Sequence, residues 1–290
     1  MPVHDELHHA PLQSLACPLD GLPLEREGGS WRCASGHNFD IARQGYVHLL
    51  PVQKKRSKDP GDSKPMVAAR QRFLGQGFYQ PVAEAVSAAV LEGVDAGTRL
   101  ACLDAGCGEG YYLRQLAEAS AGRMALTVAG LDISKWAVQA AARADRSATW
   151  IVGSNANLPL LPESVDRVLC LFGFPVYPEF ARVMKPGGRL IQVDAGPDHL
   201  RELREIIYPE VRDEPKSPGT EPDGFRLAGS RRLRFELTLD QAEPIADLLA
   251  MTPHLYRAKA EGREKAARLE TISLTADVVL QVFERYAPVA

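Results

Sequence analysis

The sequence predicts an α/β protein built on a doubly wound, mostly parallel sheet, with a small finger-like module in front. Three observations carry this. From residue 66 onward, short apolar segments alternate with amphipathic ones. The apolar segments are continuous, the pattern of strands covered on both faces. Before residue 45 the chain is instead polar and turn-rich, with cysteine and histidine closely spaced.

At 290 residues the chain has room for one domain of roughly 200 residues and a smaller appendage. Hydrophobic and charged contents of 45% and 24% are ordinary for a globular protein and exclude a collagen, a coiled coil or a disordered polymer. No apolar run reaches the roughly 18 residues of a bilayer span. The N-terminus, with Asp5, Glu6 and three His, lacks a basic then apolar signal pattern. A cytoplasmic location with no membrane partner is expected. Five cysteines, an odd number, with Cys102 and Cys170 inside apolar runs, argue against a disulfide framework. The net charge of -3 hides an asymmetry, because residues 43 to 72 hold eight Lys or Arg against Asp59 and Asp62 alone. Such a band points to a local polyanion contact.

Residues 1 to 13 show no periodicity and are expected to form a flexible tail. Residues 14 to 45 form the finger. There Cys17-x-x-Asp20, twelve further residues and Cys33-x-x-x-His37 have the spacing of a small zinc site, with Asp20 where a cysteine is expected. Zinc accepts carboxylate oxygen beside thiolate and imidazole, so a Cys17, Asp20, Cys33, His37 site is chemically sound. A unit this small needs such a staple, or a neighbour. The competing expectation is a finger without metal that survives on the packing of Leu19, Leu22, Leu24, Trp31 and Phe39. Residues 46 to 65 read as a basic linker, since Pro51, Pro60, Pro65 and Gly61 deny regular structure. Its Lys54, Lys55, Arg56 and Lys58 suit the phosphates of a nucleic acid, contacts that position without specifying.

The main domain, residues 66 to 290, opens with helical spacing. Strands are expected at 99–106, 125–132, 149–154, 166–173 and 187–196, with helices starting near Gly110, Ser134, Val176 and Pro197. Two more strands, 231–239 and 272–284, flank a helical stretch at 240–251.

The first of these strands runs into Asp104-Ala-Gly106-Cys-Gly108-Glu109-Gly110 and then a helix, so the loop sits at the carboxyl end of a strand, where doubly wound folds bind ligands. Its glycines let a ligand lie against the backbone. A dinucleotide fingerprint would need glycine at Tyr111, which disfavours NAD. The second strand ends in Asp132, 22 residues beyond Gly110, where a carboxylate accepts both hydroxyls of an adenosine ribose; capping the next helix is its other possible role. S-adenosylmethionine has that ribose and no pyrophosphate, which matches a loop without Lys or Arg. Ser154 and Asn155, after the third strand, can meet an adenine edge. With the KPGG turn at 185–188, these elements resemble the motif series of class I methyltransferases, whose sheet is Rossmann-like. A Rossmann-like domain for another nucleotide is the alternative at this level.

A closer likeness follows from HNFDIARQGYVHLLPVQKKRSKDPGDS, FYQP, DAGCGEGYY, GPDHLREL and LLAMTPHLYRA, in that order. They resemble the bacterial 23S rRNA (guanine-N1-)-methyltransferases, the group that includes tylosin-resistance enzymes, from Cys17 to beyond Arg257. The resemblance implies zinc on Cys17, Cys33 and His37, with Asp20 the departure. It also implies cofactor contacts from Tyr79, Gly108, Glu109 and His199, and a homodimer acting on 23S rRNA. Without it, His199 would read as a surface histidine. The long KKRS-type loop is like that of the Gram-negative branch and implies a guanosine in the helix-35 hairpin. A second departure is GFPVYPEF, where the family has a short Ala-Pro element. Phe172, Phe174 and Tyr177 there are placed to stack on a splayed base.

Methylation of guanine N1 would gain most from alignment of nucleophile, methyl and sulfur, and must lose the N1 proton. Asp194 and His199 are positional candidates for a base, and neither is assigned. Two other functions fit parts of the chain: a small-molecule or lipid methyltransferase, and a non-catalytic RNA-binding protein with a vestigial domain.

Overall fold

Residues 9–51, 57, 59–211, 221–252 and 258–286 are described by the computed structural model. The finger folds as a three-stranded antiparallel sheet, β2 (Leu24–Glu27), β3 (Ser30–Cys33) and β4 (Asn38–Asp40), preceded by β1 (His9–Pro11). Alternation sets its faces: Leu24, Trp31 and Cys33 are buried, whereas Glu25, Arg26 and Arg32 face solvent.

The main sheet comprises β5 (Tyr46–His48), β6 (Arg99–Ala105), β7 (Ala125–Asp132), β8 (Thr149–Val152), β9 (Val165–Leu171), β10 (Met184–Ala195), β11 (Phe225–Leu239) and β12 (Ile272–Arg285). Their order is β11-β12-β10-β9-β6-β7-β8-β5, with β1 beside the first half of β7. All neighbours are parallel except β12, which runs antiparallel to both β10 and β11. The helices are α1 (Lys64–Gly75), α2 (Gln80–Leu91), α3 (Tyr111–Ser120), α4 (Lys135–Ala144), α5 (Tyr177–Val183), α6 (Arg201–Ile207), α7 (Ala242–Met251) and α8 (Ala260–Ala267). Successive strands β6, β7 and β8 step to one side of β6, while β9 and β10 lie on the other. The crevice outside the carboxyl ends of β6 and β9 is therefore the topological switch point, and residues 106–110 stand in it.

The sheet is covered unevenly. Val82, Val86, Leu113, Leu116 and Val138 of α2, α3 and α4 pack on one face. On the other, α5 contributes Phe180 and Val183, and the finger contributes Leu15, Cys17, Leu24 and Trp31 against Leu103, Leu131 and Ile151. The finger thus occupies ground that a doubly wound sheet ordinarily gives to a helix.

This packing corrects the expected boundaries. The tail does not extend to residue 13: His9–Pro11 pairs with Leu126–Val128, and Leu12 is buried. Nor are residues 46 to 65 all linker. Tyr46–His48 is the edge strand beside Trp150–Val152, and Lys64 opens α1. Both strands are three residues long, too short to show a period of two, and they exist because β7 and β8 offer free backbone groups. The helix expected near Pro197 begins at Arg201, because residues 196–200 form a turn bound to β12.

Candidate active site and metal centre

Gly106 adopts φ +105° and faces open space, so a ligand can lie on its backbone. Gly110, at φ +82°, caps α3; a Cβ there would stand 2.5 Å from the Trp150 ring, and one at Gly130 would overlap the same ring. Trp150 is the floor under the loop, and two glycines make room for it. Asp132 supports the loop from the side: Oδ2 accepts the Gly108 N–H at 3.0 Å and Oδ1 accepts the Ser134 N–H at 2.8 Å. The expected ribose acid is thus also scaffold. The helix α4 is capped instead by Ser134, whose Oγ accepts the Ala137 N–H at 3.2 Å.

Asp104 differs from its neighbours. It is 1% exposed, and neither carboxyl oxygen has a hydrogen-bond partner among the described residues. Burial, and secondarily the charge of Asp132, push its pKa up to about 8. Glu109 is held by Arg114 through Oε2 at 2.7 Å, leaving a buried Oε1 unpaired. Asn155 donates through Nδ2 to the carbonyls of Ala105 and Phe174, 3.3 Å each, and its Oδ1 is likewise buried and unpaired. Ser154 accepts the Ala156 N–H at 3.2 Å within its own turn. Orphaned oxygens thus ring the crevice, the state expected of a polar site built for a ligand. A sulfonium cofactor with an ammonium, a ribose diol and an adenine amino group fits this donor-poor set.

Tyr79 and His199, each expected to touch the cofactor, lie against one another. The Tyr79 hydroxyl is 3.2 Å from His199 Nε2, and Phe172 lies about 6 Å from both rings. His199 Nδ1 accepts the Asp277 N–H at 3.2 Å, which assigns the proton of the neutral ring to Nε2. Asp277 in turn takes a bidentate grip from Arg232 at 2.6 and 2.8 Å and the Asp198 N–H at 2.9 Å. A Cβ at Gly196 would overlap that carboxylate, which explains the glycine of GPDHL. Sequence reading missed Asp277 and Arg232, which lie on strands with no motif of their own.

It also missed Arg70, which pairs with Asp62, donates to the Met251 carbonyl at 3.1 Å, and lies beside Gly108. The Asp62 carbonyl accepts the Ser134 hydroxyl at 2.6 Å, so the DPGDS end of the basic segment is docked at the cofactor loop. Arg72 donates to Asp247 at 2.9 Å. Two of the eight cations are therefore internal ties rather than a free polyanion surface. Lys54, Lys55, Arg56 and Lys58 lie outside the described residues.

Beyond the cofactor loop, Phe174 is 88% exposed at the end of β9. Tyr177, expected beside it, is half-buried against Phe225 and donates to Gln192 Oε1 at 3.0 Å. Gln192 Nε2 then donates to Asp194 Oδ2 at 2.7 Å.

In the finger, one ligand atom each from Cys17, Asp20, Cys33 and His37 lies within 4.8 Å of the others. His37 Nδ1 is 3.5 Å from Cys17 Sγ, 3.4 Å from Cys33 Sγ and 3.0 Å from Asp20 Oδ2. Those separations are close to the edges of a tetrahedron with bonds of about 2.0 to 2.3 Å, the first shell of zinc. Leu19 and Leu22, two of the residues invoked for a finger without metal, are 54% and 39% exposed and offer it little core. The donor set fits a closed, four-coordinate ion.

A family model for a methyltransferase domain matches residues 103–192, and a zinc-ribbon model described as RlmA, N-terminal, matches residues 15–58. With strand order and loop as above, the chain is an S-adenosylmethionine-dependent methyltransferase of class I fold, carrying a zinc ribbon. A 23S rRNA (guanine(748)-N(1))-methyltransferase of Streptomyces fradiae is 33% identical over 272 residues, spanning 92% of this chain and 94% of its own. The Bacillus subtilis protein YxjB, to which 23S rRNA (guanine-N(1)-) methylation is ascribed, is 32% identical over 90% of this chain and 94% of its own. A Micromonospora griseorubida protein with the same ascription is 33% identical over 98% and 100%. The chain belongs to the 23S rRNA (guanine-N1-)-methyltransferase family.

Proposed function

We propose that the protein transfers a methyl group from S-adenosylmethionine to N1 of a guanosine in 23S rRNA, in the helix-35 hairpin. The observation that carries this reading is the ribbon, packed into the wall of the methyltransferase core by Leu15, Cys17, Leu24 and Trp31.

In this reading Asp104 receives the cationic methionine end of the cofactor, Asp132 its ribose diol, and Asn155 Oδ1 with Ser154 its adenine edge. Gly106, Gly108 and Gly110 supply backbone, Glu109 closes the loop, and Tyr79 with His199 borders the methionine end. When bound, the cofactor supplies an electrophilic methyl group on sulfur. Phe172 and Phe174 receive the unstacked base. Both nitrogens of His199 are occupied, so the N1 proton passes to Asp194, whose other oxygen Gln192 holds and Tyr177 orients through that amide. Zinc on Cys17, Asp20, Cys33 and His37 leaves no open coordination position and serves stability rather than chemistry. Lys54, Lys55, Arg56 and Lys58 neutralise phosphates.

The enzyme is proposed to be cytoplasmic and homodimeric. No described helix is long and apolar enough to cross a membrane. The outermost strand β11, mostly exposed along Phe225–Leu239, is a surface that pairing would cover. Sedimentation of the purified protein measures the second point, and a monomer at all concentrations would remove it.

The test of the function is methylation of 23S rRNA transcripts by purified protein, followed by mapping of the modified base. A new stop to primer extension at one hairpin guanosine is expected. Methyl transfer to small acceptors with rRNA untouched would replace this reading, as would calorimetry showing no binding of S-adenosylmethionine.

A further inference from the structure

A cleft of about 220 Å³ opens between the ribbon and the main sheet, at the amino end of β8 and so on the rim opposite the cofactor loop. Arg26 of β2 lines it from the ribbon, and Arg146, in the turn between α4 and β8, from the catalytic domain; Trp31, Val47, Thr149 and Trp150 make its floor. Both arginines are exposed, and neither makes a side-chain hydrogen bond or ion pair among the described residues. The acid beside Arg146, Asp145, is committed elsewhere: Oδ2 meets His9 Nε2 at 2.8 Å, and Oδ1 accepts the Ser147 N–H at 2.8 Å; beside Arg26, Glu27 pairs with Arg32 at 3.4 Å, and neither Glu25 nor Glu27 lines the cleft. Asp145 also fixes the floor, because its carbonyl accepts the Trp150 Nε1–H at 2.7 Å.

Two guanidinium groups thus share one cleft in which no described residue supplies a carboxylate. Neighbouring strands extend the feature. Arg123 precedes β7 and Arg99 opens β6, at the same amino-end rim, and these too have no side-chain partner among the described residues. A guanidinium without a carboxylate presents its fork of donors to phosphate oxygens. The cleft has one wall from each domain, so it exists only while the ribbon is docked.

We propose that the cleft between Arg26 and Arg146 binds a backbone phosphate of the rRNA substrate, anchoring the RNA on the rim opposite the site of methyl transfer. The inference rests on the rRNA reading above. Such an anchor holds the RNA by charge and leaves the choice of base to the crevice around Phe174.

The experiment compares full-length protein with the double variant Arg26→Ala/Arg146→Ala in filter binding to a 23S rRNA hairpin fragment across a salt series. Loss of this phosphate contact predicts affinity lower by roughly tenfold at moderate salt and a slope of log K against log salt shallower by about 1. Affinity for S-adenosylmethionine, measured by calorimetry, stays at the wild-type value and shows that the variant is folded. A control, Arg263→Ala on α8 with Arg268→Ala just past its end, removes two exposed arginines that do not line the cleft and leaves both RNA quantities unchanged. Wild-type slope and affinity within twofold in the cleft variant would overturn the site while leaving the rRNA reading intact, and so would an equal loss in the control. Absence of salt-dependent RNA binding by the wild type would overturn both.

Discussion

Asp104 faces conflicting demands in the free and the liganded protein. Buried with no hydrogen-bond partner among the described residues, it keeps its proton up to about pH 8 in the folded protein, against about 3.9 in an unfolded chain. A raised pKa stabilises the fold below the unfolded value, and that contribution is lost as pH rises through 8. Bound to a cation, the same group must ionise. Three outcomes follow for Asp104→Asn. Affinity for S-adenosylmethionine falls by about 2 kcal/mol or more, the scale of a lost charge-assisted contact. The ligand-free protein melts no lower than wild type at pH 8.5, and its melting temperature declines less between pH 6.5 and 8.5. Calorimetry of the wild type at pH 7 in two buffers of different ionisation heat detects proton release on binding. Equal pH slopes in the two proteins would sink the argument. At Phe174, the expected role is confined to the acceptor. Phe174→Ala raises KM for rRNA roughly tenfold, a stacking contribution of about 1 to 3 kcal/mol, and leaves cofactor affinity unchanged; a change confined to cofactor binding would refute it.

Elements place these residues, and the turn at Gly196–Leu200 shows how. It is held by Asp277, whose pKa is lowered chiefly by the Arg232 hydrogen bonds. A lowered carboxylate pKa stabilises above the unfolded value and is lost as pH falls through the folded one. Arg232→Met therefore frees an uncompensated buried carboxylate, and the loss in stability is greatest near neutral pH and shrinks in acid. Acid titration of melting temperature reads this, and a constant difference at all pH would contradict it. Motif spacing made GPDHL visible in the sequence. Its supports were not, because Asp277 lies 78 residues beyond His199 and pairs with it through strand register alone.

For the whole molecule the ribbon is structural as well as a candidate RNA contact. It covers Leu103, Leu131 and Ile151 on a face without a helix of its own there, and burial of each such side chain contributes about 1.5 to 3 kcal/mol. Cys33→Ser, or a strong chelator, is thus expected to lower the melting temperature of the entire chain in one cooperative transition. A ribbon that melts alone while the cofactor site keeps its affinity would show the two units to be independent. Asp20→Cys restores the expected thiolate and should raise zinc affinity, measured by competition with a chromogenic chelator.

The sequence by itself determined the strands from Arg99 onward, the glycine loop, Asp132 at its flank and the clustering of Cys17, Asp20, Cys33 and His37 in the ribbon. Each is a local signal: a continuous apolar run, a short spacing, or a residue type that chemistry demands. Tertiary structure alone decided that β1 and β5 join the sheet, that Trp150 fills the space left by Gly110 and Gly130, and that Asp104 is buried with no hydrogen-bond partner among the described residues. It also put Arg26 and Arg146 across one cleft. These depend on which distant segments share a neighbour, information carried by packing and strand register and by no window of sequence.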